Sequence, residues 1–367
     1  MTKSTHLTGE VTMQKRIYIC HTFYHVYVAC LKESYLPEKE RGRADLLLSK
    51  MSNDFGDLNL RAEQSLFFNK VYMFDEKEDT FFPELTQYHT DKGNLVLNMF
   101  SRIKYTKLLG KLQEPYIPVD LTKYKDIYVF CDSDPIGYYL NYKKIRYHAL
   151  EDGLDCIRYY DTARYDNRGH FGLKAFLSSL NLIFIQNGYG KYCMDMEVND
   201  ISVCPYPCKK YIEQKREELV ENLTDKEREE ICRIFIKDIE ELKKQFNTGI
   251  NHEHKVMILT EPLCTLDVRE KIFKDLILEY GRDAQIILKP HPRDLLDYET
   301  LFPDCVVIKG RFPMEVMNFI SNLQVDKVVS IMTVTDSIHF AKEAVFLGED
   351  YMDRYEPREC HTQNEQI

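Results

Sequence analysis

Short apolar runs alternate with longer segments of helical periodicity along most of this chain. The first run, residues 16–20, is typical of a strand, and a helix is predicted at 23–33 with Thr22 in position to cap it. Parallel strands joined through helices form right-handed crossovers, so this alternation favours parallel sheets with helices on both faces. The sequence therefore predicts the α/β class.

The chain is longer than a single hydrophobic core usually organises. It has 367 residues, and the alternation pauses at 247–254, after a long helix predicted at 223–246. A second strand–helix series then begins, so we expect two Rossmann-like α/β domains facing a central cleft. The expected parts are a polar leader (1–14), a first domain (15–246), a second domain (255–350) and a polar tail (351–367).

Two further segments are predicted from their local pattern. Residues 198–203 are expected to form a strand, closed by the prolines that follow it. Residues 337–346 are expected to form a helix directly after the hydroxyl-rich segment 330–335. Such a helix would matter for function, because the N–H groups at a helix N-terminus bind phosphate oxygens.

Composition restricts the partners and the compartment. The net charge of −10 argues against a nucleic-acid partner. The 11 cysteines are scattered, which favours reduced thiols in a cytosol. No apolar run approaches the ~20 residues of a membrane helix, and residues 1–14 lack the apolar core of a signal peptide. We therefore expect a cytoplasmic protein, with local basic clusters that could contact the inner face of the cell membrane.

The segment around His291 combines a buried strand with an abrupt stop. An apolar run at 286–288 ends on two prolines that flank His291, and neither proline can donate a ladder hydrogen bond. The imidazole is thus expected at the carboxyl end of a strand, where open α/β sheets bind ligands. Lys289 and Arg293 add positive charge, which suits a phosphate better than a metal. The alternative is a histidine that merely lies in a polar loop.

Other turns at the ends of predicted strands contain residues with useful chemistry. Acids can act as a base, hydroxyls can hold phosphate oxygens, and a carboxylate such as Glu315 can bind two ribose hydroxyls. These turns are His21-Thr22, Glu151-Asp152-Gly153, Thr260-Glu261-Pro262 with Asp267 beyond it, Phe312-Pro313-Met314-Glu315, and residues 330–335. Helix capping is the alternative for each turn alone. Together they are what a nucleotide-sugar transferase needs, and they imply no metal cage.

These motifs, in this order, resemble those of the bacterial sialyltransferases of glycosyltransferase family 52, which includes the lipooligosaccharide sialyltransferases. The resemblance spans about residues 16–345, and its acidic-acidic-Gly and His-Pro motifs also occur in bacterial polysialyltransferases. It rests on Cys20-His21-Thr22-Phe23-Tyr24-His25, Glu151-Asp152-Gly153, His291-Pro292, Pro313-Met314-Glu315 and residues 330–337.

The resemblance implies a GT-B fold, with the acceptor on the N-terminal domain and the nucleotide sugar on the C-terminal domain. It implies metal-independent, inverting transfer of sialic acid from CMP-sialic acid to a galactoside on a surface glycan, as in lipooligosaccharide or capsular polysaccharide biosynthesis. No cofactor is expected. A homodimer is expected from the same resemblance.

Residue roles follow from the resemblance by position. His291 would be the general acid or would neutralise the phosphate charge, and Asp267 is the best match to the catalytic base, with Asp152 as the competing acid. A departure from the family pattern is Val334, which separates two hydroxyl residues that the motif places side by side. The residues expected to bind substrate are His21, Thr22, Glu151, Gly153, Lys289, Pro292, Glu315, Ser330, Thr333 and Thr335.

Two alternatives remain open on the sequence. One is a transferase of the same fold with another donor, such as a nucleotide-linked hexose; a UDP-sugar usually calls for additional phosphate contacts. The other is a catalytically silent protein that binds glycans, against which the presence of both His291 and a nearby acid argues.

Overall fold

The computed structural model contains two α/β units, Met1–Asn222 and Leu223–Ile367. It describes residues 14–130, 132–153, 169–204, 208–247 and 254–361. The strands are β1 (Gln14–Cys20), β2 (Ala44–Ser49), β3 (Phe68–Phe74), β4 (Tyr124–Phe130), β5 (Tyr147–Leu150), β6 (Cys193–Val198), β7 (Tyr211–Glu213), β8 (His254–Leu259), β9 (Ala284–Lys289), β10 (Val306–Val307), β11 (Val325–Ser330) and β12 (Ala341–Phe346). The helices are α1 (Phe23–Tyr35), α2 (Leu58–Glu63), α3 (Thr86–His89), α4 (Leu95–Leu112), α5 (Pro135–Lys143), α6 (Phe171–Ser179), α7 (Arg216–Glu221), α8 (Asp225–Phe235), α9 (Ile239–Asn247), α10 (Leu266–Tyr280) and α11 (Tyr298–Leu301).

The first unit is built on a seven-stranded sheet in the order β3-β2-β1-β4-β5-β6-β7, in which every pair is parallel. Strand β2 shows why the sheet is covered on both faces, since all six of its residues are buried. The strand order changes direction between β1 and β4. In doubly wound sheets such a switch point opens a crevice at the carboxyl ends of the strands, where ligands bind.

Helix α1 begins where the sequence predicts it. The Thr22 side chain accepts a hydrogen bond from the backbone N–H of His25, and the His25 ring accepts one from the backbone of Thr22, which forms a reciprocal capping box. Most of the helix is buried, including His25 itself. The cap therefore fixes the start of the helix and places the polar His25 ring in the interior of the unit.

The second unit contains a five-stranded parallel sheet in the order β10-β9-β8-β11-β12. Its switch point lies between β8 and β11. Helix α10 packs Ile272, Phe273 and Leu276 into a core that contains Ile258 and Leu288. The two parallel sheets confirm the predicted α/β class.

The predicted helix at 337–346 is wrong, because Ala341–Phe346 is strand β12, paired in parallel with β11. The mistake has a physical source. Ala341, Ala344 and Val345 stand at helical spacing, and in so short a segment periodicity does not distinguish a helix from an edge strand. No helix N-terminus therefore follows the hydroxyl-rich segment.

Two other predicted elements differ from the structure. In place of the strand predicted at 198–203, strand β6 lies earlier in the chain. A single 3-10 turn, Ile201–Val203, follows it, and the Asp200 side chain accepts from the backbone N–H of Ser202. The long helix predicted at 223–246 is instead two helices, α8 and α9. The Asp238 side chain accepts from the backbone N–H of Glu241, so it caps a new helix start and interrupts the longer one.

Helices α8 and α9 group with the second unit, whereas the sequence placed them in a first domain ending at residue 246. The contacts explain the difference. The Cys232 thiol donates to the carbonyl of Val316, and the Arg228 guanidinium lies 5.2 Å from the centre of the Phe319 ring. The predicted linker at 247–254 lies largely outside the described residues. Among the described helices, none has both the length and the apolar character that a membrane crossing requires.

Candidate active-site residues in the two units

In the first unit, the buried His25 ring is paired with Asp152, which is partly exposed. The backbone N–H groups of His21 and Thr22 lie 3.0 and 3.3 Å from His25 Nδ1 and donate to it. The ring proton therefore sits on Nε2, which donates to the Asp152 carboxylate. Burial lowers the pKa of His25, although Asp152 opposes this effect. The backbone at the start of α1 thus sets the tautomer that holds Asp152.

The His25 ring is also fixed by packing. It is fully buried and stacks on Phe130, with ring centres 4.5 Å apart and an interplanar angle of 8°. Asp152 keeps about a third of its side chain exposed, at 34%. The Asp152 carboxylate therefore lies at the carboxyl edge of the sheet, and the buried His25 ring orients it. The sequence names Asp152 as a candidate but assigns no role to His25.

His21 lies at the switch point of the same sheet. Its Nε2 is 2.8 Å from Glu76 Oε2 and 3.4 Å from Asp134 Oδ2. Burial alone would lower the pKa of His21, but the Glu76 and Asp134 carboxylates outweigh it and raise the pKa to about 9. His21 is therefore an imidazolium at neutral pH, held between two carboxylates.

Glu76 ties together the ends of four strands and is missed by the sequence predictions. Its side chain accepts from the Ser49 hydroxyl and from the backbone N–H of Ile136, both at 2.7 Å, in addition to His21. It lies two residues after β3 in a run of charged residues, which indicates solvent exposure, yet it is only 3% exposed. Its position just beyond a strand end was the available signal.

The other predicted residues of the first unit have local roles. Thr22 is the cap of α1, and Glu151 is buried and accepts from the backbone N–H of Asn199 at 2.6 Å, which fixes the loop after β6. Burial raises the pKa of Glu151. The position that a Cβ would take on Gly153 is open, so packing does not require a glycine there.

In the second unit, His291 occupies the turn after β9, as predicted. The backbone N–H of Arg293 donates to His291 Nδ1 at 3.2 Å, which leaves the proton of the neutral ring on Nε2. Burial, followed by the charges of Arg293 and Lys289, lowers the pKa of His291 to about 4. Without a bound anion, His291 is thus a neutral ring with an oriented Nε2–H donor.

Asp294 holds this turn in place, and the sequence predictions miss it. Its fully buried carboxylate accepts from the Thr260 hydroxyl, from the Tyr298 hydroxyl and from Arg269 Nη1, each at 2.7 Å. Thr260 Oγ1 in turn accepts from the backbone N–H of His291 at 3.2 Å. One acid therefore joins the His291 turn to the end of β8 and to the first turns of α10.

Lys289 and Glu315 provide opposite charges close to each other. The Lys289 ammonium lies 4.2 Å from the centre of the Phe312 ring and donates to the carbonyl of Pro290. Burial lowers the pKa of Lys289 to about 8, with Glu315 opposing it, and burial raises the pKa of Glu315. An anion beside Lys289 would restore its full charge.

The hydroxyl-rich segment after β11 forms a tight turn whose polar groups are partly engaged. Ser330 Oγ donates to the carbonyl of Thr333 at 2.7 Å, and the buried Glu261 carboxylate accepts the backbone N–H groups of Met332 and Thr333. Glu261 therefore occupies N–H groups that could otherwise meet a phosphate. Thr335 is half-buried and begins the next turn, where its carbonyl accepts from the backbone N–H of Ile338 at 3.0 Å.

Asp267 lies in the first turn of α10 and is exposed. Hydrogen bonds from Thr265, and from N–H groups of its own turn, lower the pKa of its carboxyl. These are the contacts of a helix cap. Pro292 is half-buried in the His291 turn.

Comparison with solved structures identifies the class of fold. The chain is similar to an alpha/beta-galactoside alpha-2,3-sialyltransferase from Photobacterium phosphoreum, at 12% identity over 90% of both chains, with a TM-score of 0.50. It is also similar to a 2,6-sialyltransferase from Photobacterium sp. JT-ISH-224, at 13% identity over 90% of this chain and 71% of that one, with a TM-score of 0.55. Likeness at this identity concerns the fold alone, which is the predicted GT-B fold.

The family follows from the sequence itself. The model of glycosyltransferase family 52 matches residues 72–346, more than half of the chain. The chain belongs to glycosyltransferase family 52, as the motifs predicted. A curated relative, an uncharacterized protein of Haemophilus influenzae, is 24% identical over 34% of this chain; the match spans 46% of that relative's length.

Proposed function

We propose that this chain is an inverting, metal-independent sialyltransferase that moves sialic acid from CMP-sialic acid to a galactoside on a bacterial surface glycan. The observation that carries the proposal is the oriented Nε2–H of His291 beside two cations, Lys289 and Arg293. The family supports it, and so does the Photobacterium 2,6-sialyltransferase of similar fold, whose structure contains CMP and lactose.

His291 assists departure of the nucleotide. When the bond between the anomeric carbon and the phosphate oxygen breaks, the CMP phosphate gains negative charge. That charge opposes the burial and the neighbouring cations that keep the pKa of His291 low, so the ring can take up a proton from solvent and donate its Nε2 proton to the departing phosphate oxygen. Lys289 compensates the remaining charge, and no metal ion is needed for this step.

Asp152 is the base that we propose for the acceptor hydroxyl. The resemblance favours Asp267, but the contacts of Asp267 are those of a helix cap, and its lowered pKa makes it a weaker base. Asp152 is oriented by His25 and remains a third exposed. In the displacement, the hydroxyl oxygen bonds to the anomeric carbon as its proton passes to the carboxylate and CMP leaves.

A donor screen tests the proposal. The purified chain is incubated with lactose and one donor, which is CMP-sialic acid, UDP-glucose or UDP-galactose. The masses of the products are then measured by mass spectrometry. We expect a sialylated product only with CMP-sialic acid, and little product from the His291→Ala variant. A hexosylated product would establish the alternative donor class. Galactoside binding without any product would establish the silent glycan-binding protein.

The remaining part of the proposal is assembly and location. We propose a homodimer that works in the cytoplasm. Light scattering on the purified chain measures the mass in solution, and a monomeric mass across the working concentration range would refute the dimer. Fractionation of cells that produce the chain tests the location.

A further inference from the structure

Two neighbouring helices of the first unit expose large apolar side chains. The start of α4 presents Leu95, Val96, Leu97 and Phe100, each between 54% and 60% exposed. Helix α6 presents Phe176 at 60%; Leu173, three residues before it, and the C-cap residue Leu180, four residues after it, are exposed on the same side. Single exposed apolar residues are ordinary, but a group of this size marks an interaction surface.

Both helices pack against the same small cluster, which places their exposed side chains on adjoining surface. A small cluster around Ile183 and Ile185 is packed by Met99 and Ile103 of α4 and by Phe171 and Leu177 of α6. Lys107 of α4 also reaches the carbonyl of Asn181, just beyond α6, at 3.5 Å. We call the exposed face of α4 and α6 the α4–α6 surface.

The charge of this surface is opposite to that of the chain as a whole. The chain carries a net charge of −10, yet neither residues 92–113 nor residues 169–194 contain an Asp or Glu. On α4, Lys104, Lys107 and Lys111 are exposed and continue the helical face that begins with Phe100. The surface thus has an apolar end followed by a basic stripe.

We propose that the α4–α6 surface docks the protein on an anionic lipid bilayer. Apolar side chains insert at the boundary between headgroups and acyl chains, while lysines above them meet lipid phosphates. A second copy of the chain suits the surface less well. Twofold pairing brings the same patch of each subunit together, which would place Lys104, Lys107 and Lys111 near their own copies.

Vesicle co-sedimentation of the purified full chain tests this docking without any sugar transfer, so its outcome is separate from that of the donor screen. Vesicles of phosphatidylcholine alone are compared with vesicles containing two parts phosphatidylcholine and one part phosphatidylglycerol. We expect binding to the anionic vesicles, weakened by added salt. Reversal of the three lysines to glutamate should lower the partition coefficient on the order of 100-fold.

An apolar variant tests the other half of the surface. Leu97→Ser with Phe100→Ser should lower binding at least about tenfold while leaving the unfolding temperature unchanged, since both side chains are exposed. The matched controls change equally exposed residues elsewhere. Leu60→Ser with Leu278→Ser, and Lys123→Glu with Lys125→Glu, should bind as the unchanged chain does.

Three results would overturn the proposal. The first is binding that does not depend on phosphatidylglycerol, and the second is binding that the α4–α6 variants leave intact. The third is that the chain does not bind vesicles but changes from dimer to monomer, as measured by light scattering, when Leu97 and Phe100 are replaced. That outcome would make the surface an interface between copies of the chain.

Discussion

Replacing Glu76 by Gln removes the nearest charge from the buried His21 imidazolium while keeping the size of the side chain. The pKa of His21 is raised to about 9 in the folded chain, against roughly 6.5 for an unfolded histidine. At about 1.4 kcal/mol for each pH unit, the charged ring contributes about 3 kcal/mol to the free energy of unfolding. Because the pKa is raised, this contribution is complete below about pH 6.5 and is lost as the pH rises through about 9.

The expected destabilisation by Glu76→Gln therefore depends on pH. Near pH 6 the variant loses a buried ion pair, a change that costs about 3–5 kcal/mol. Above the folded pKa, His21 is neutral in the unchanged chain as well, so the difference between the two proteins should shrink by about 3 kcal/mol. The remaining difference reflects the hydrogen bonds from Ser49 and Ile136.

Urea unfolding followed by far-ultraviolet circular dichroism at a series of pH values measures this effect. Hydrogen exchange of peptides covering β1 assigns the relevant transition to the first unit, which is necessary because a two-unit chain need not unfold in one step. Glu114→Gln is the matched control, since it breaks an exposed ion pair with Lys143 and should change stability little at any pH. Equal destabilisation by Glu76→Gln at low and high pH would refute the charged state of His21.

Four further predictions concern catalysis. His291→Ala should lower the turnover number by about 10²–10⁴-fold with an unchanged circular dichroism spectrum; near-normal turnover would remove His291 from the mechanism. Asp152→Asn should lose about 10²-fold or more in turnover with donor binding retained, and Asp267→Asn should lose less; the reverse ranking would assign the base to Asp267. Addition of CMP should raise the pKa of His291, measured by NMR titration, because a phosphate favours the charged ring. Transfer should survive EDTA, since Lys289 and Arg293 supply the positive charge; strict dependence on magnesium or manganese would contradict the proposed chemistry.

Local signals were sufficient for the elements that position the site. Strand β9 contains the apolar run predicted at 286–288, and helix α1 begins at residue 23 as predicted because Thr22 caps it. The prolines around His291 also predicted its turn correctly. The prediction of a helix at strand β12 is wrong because the strand conformation depends on pairing with β11, and no local sequence pattern indicates that pairing.

The missed residues share a different property, which is dependence on partners far away in the sequence. The Glu76 carboxylate accepts hydrogen bonds from groups at three other strand ends. The Asp294 carboxylate accepts them from Thr260 and Arg269. A carboxylate is buried only where donors surround it, and donors separated by tens of residues are invisible to spacing rules. His25 belonged to a quoted motif, but its role depends on backbone N–H groups that orient the ring.

The contacts of Asp294 have a consequence for engineering. The turn that carries His291 is held by the end of β8 and by α10 through one buried acid, so it is ordered before any ligand arrives. A donor would not have to organise this turn on binding, which leaves more of the interaction energy for affinity. A transfer of this turn to another protein would consequently require three segments of chain, namely the turn itself, the end of β8 and the start of α10. A peptide or graft with only the residues around His291 would lack the groups that hold the turn.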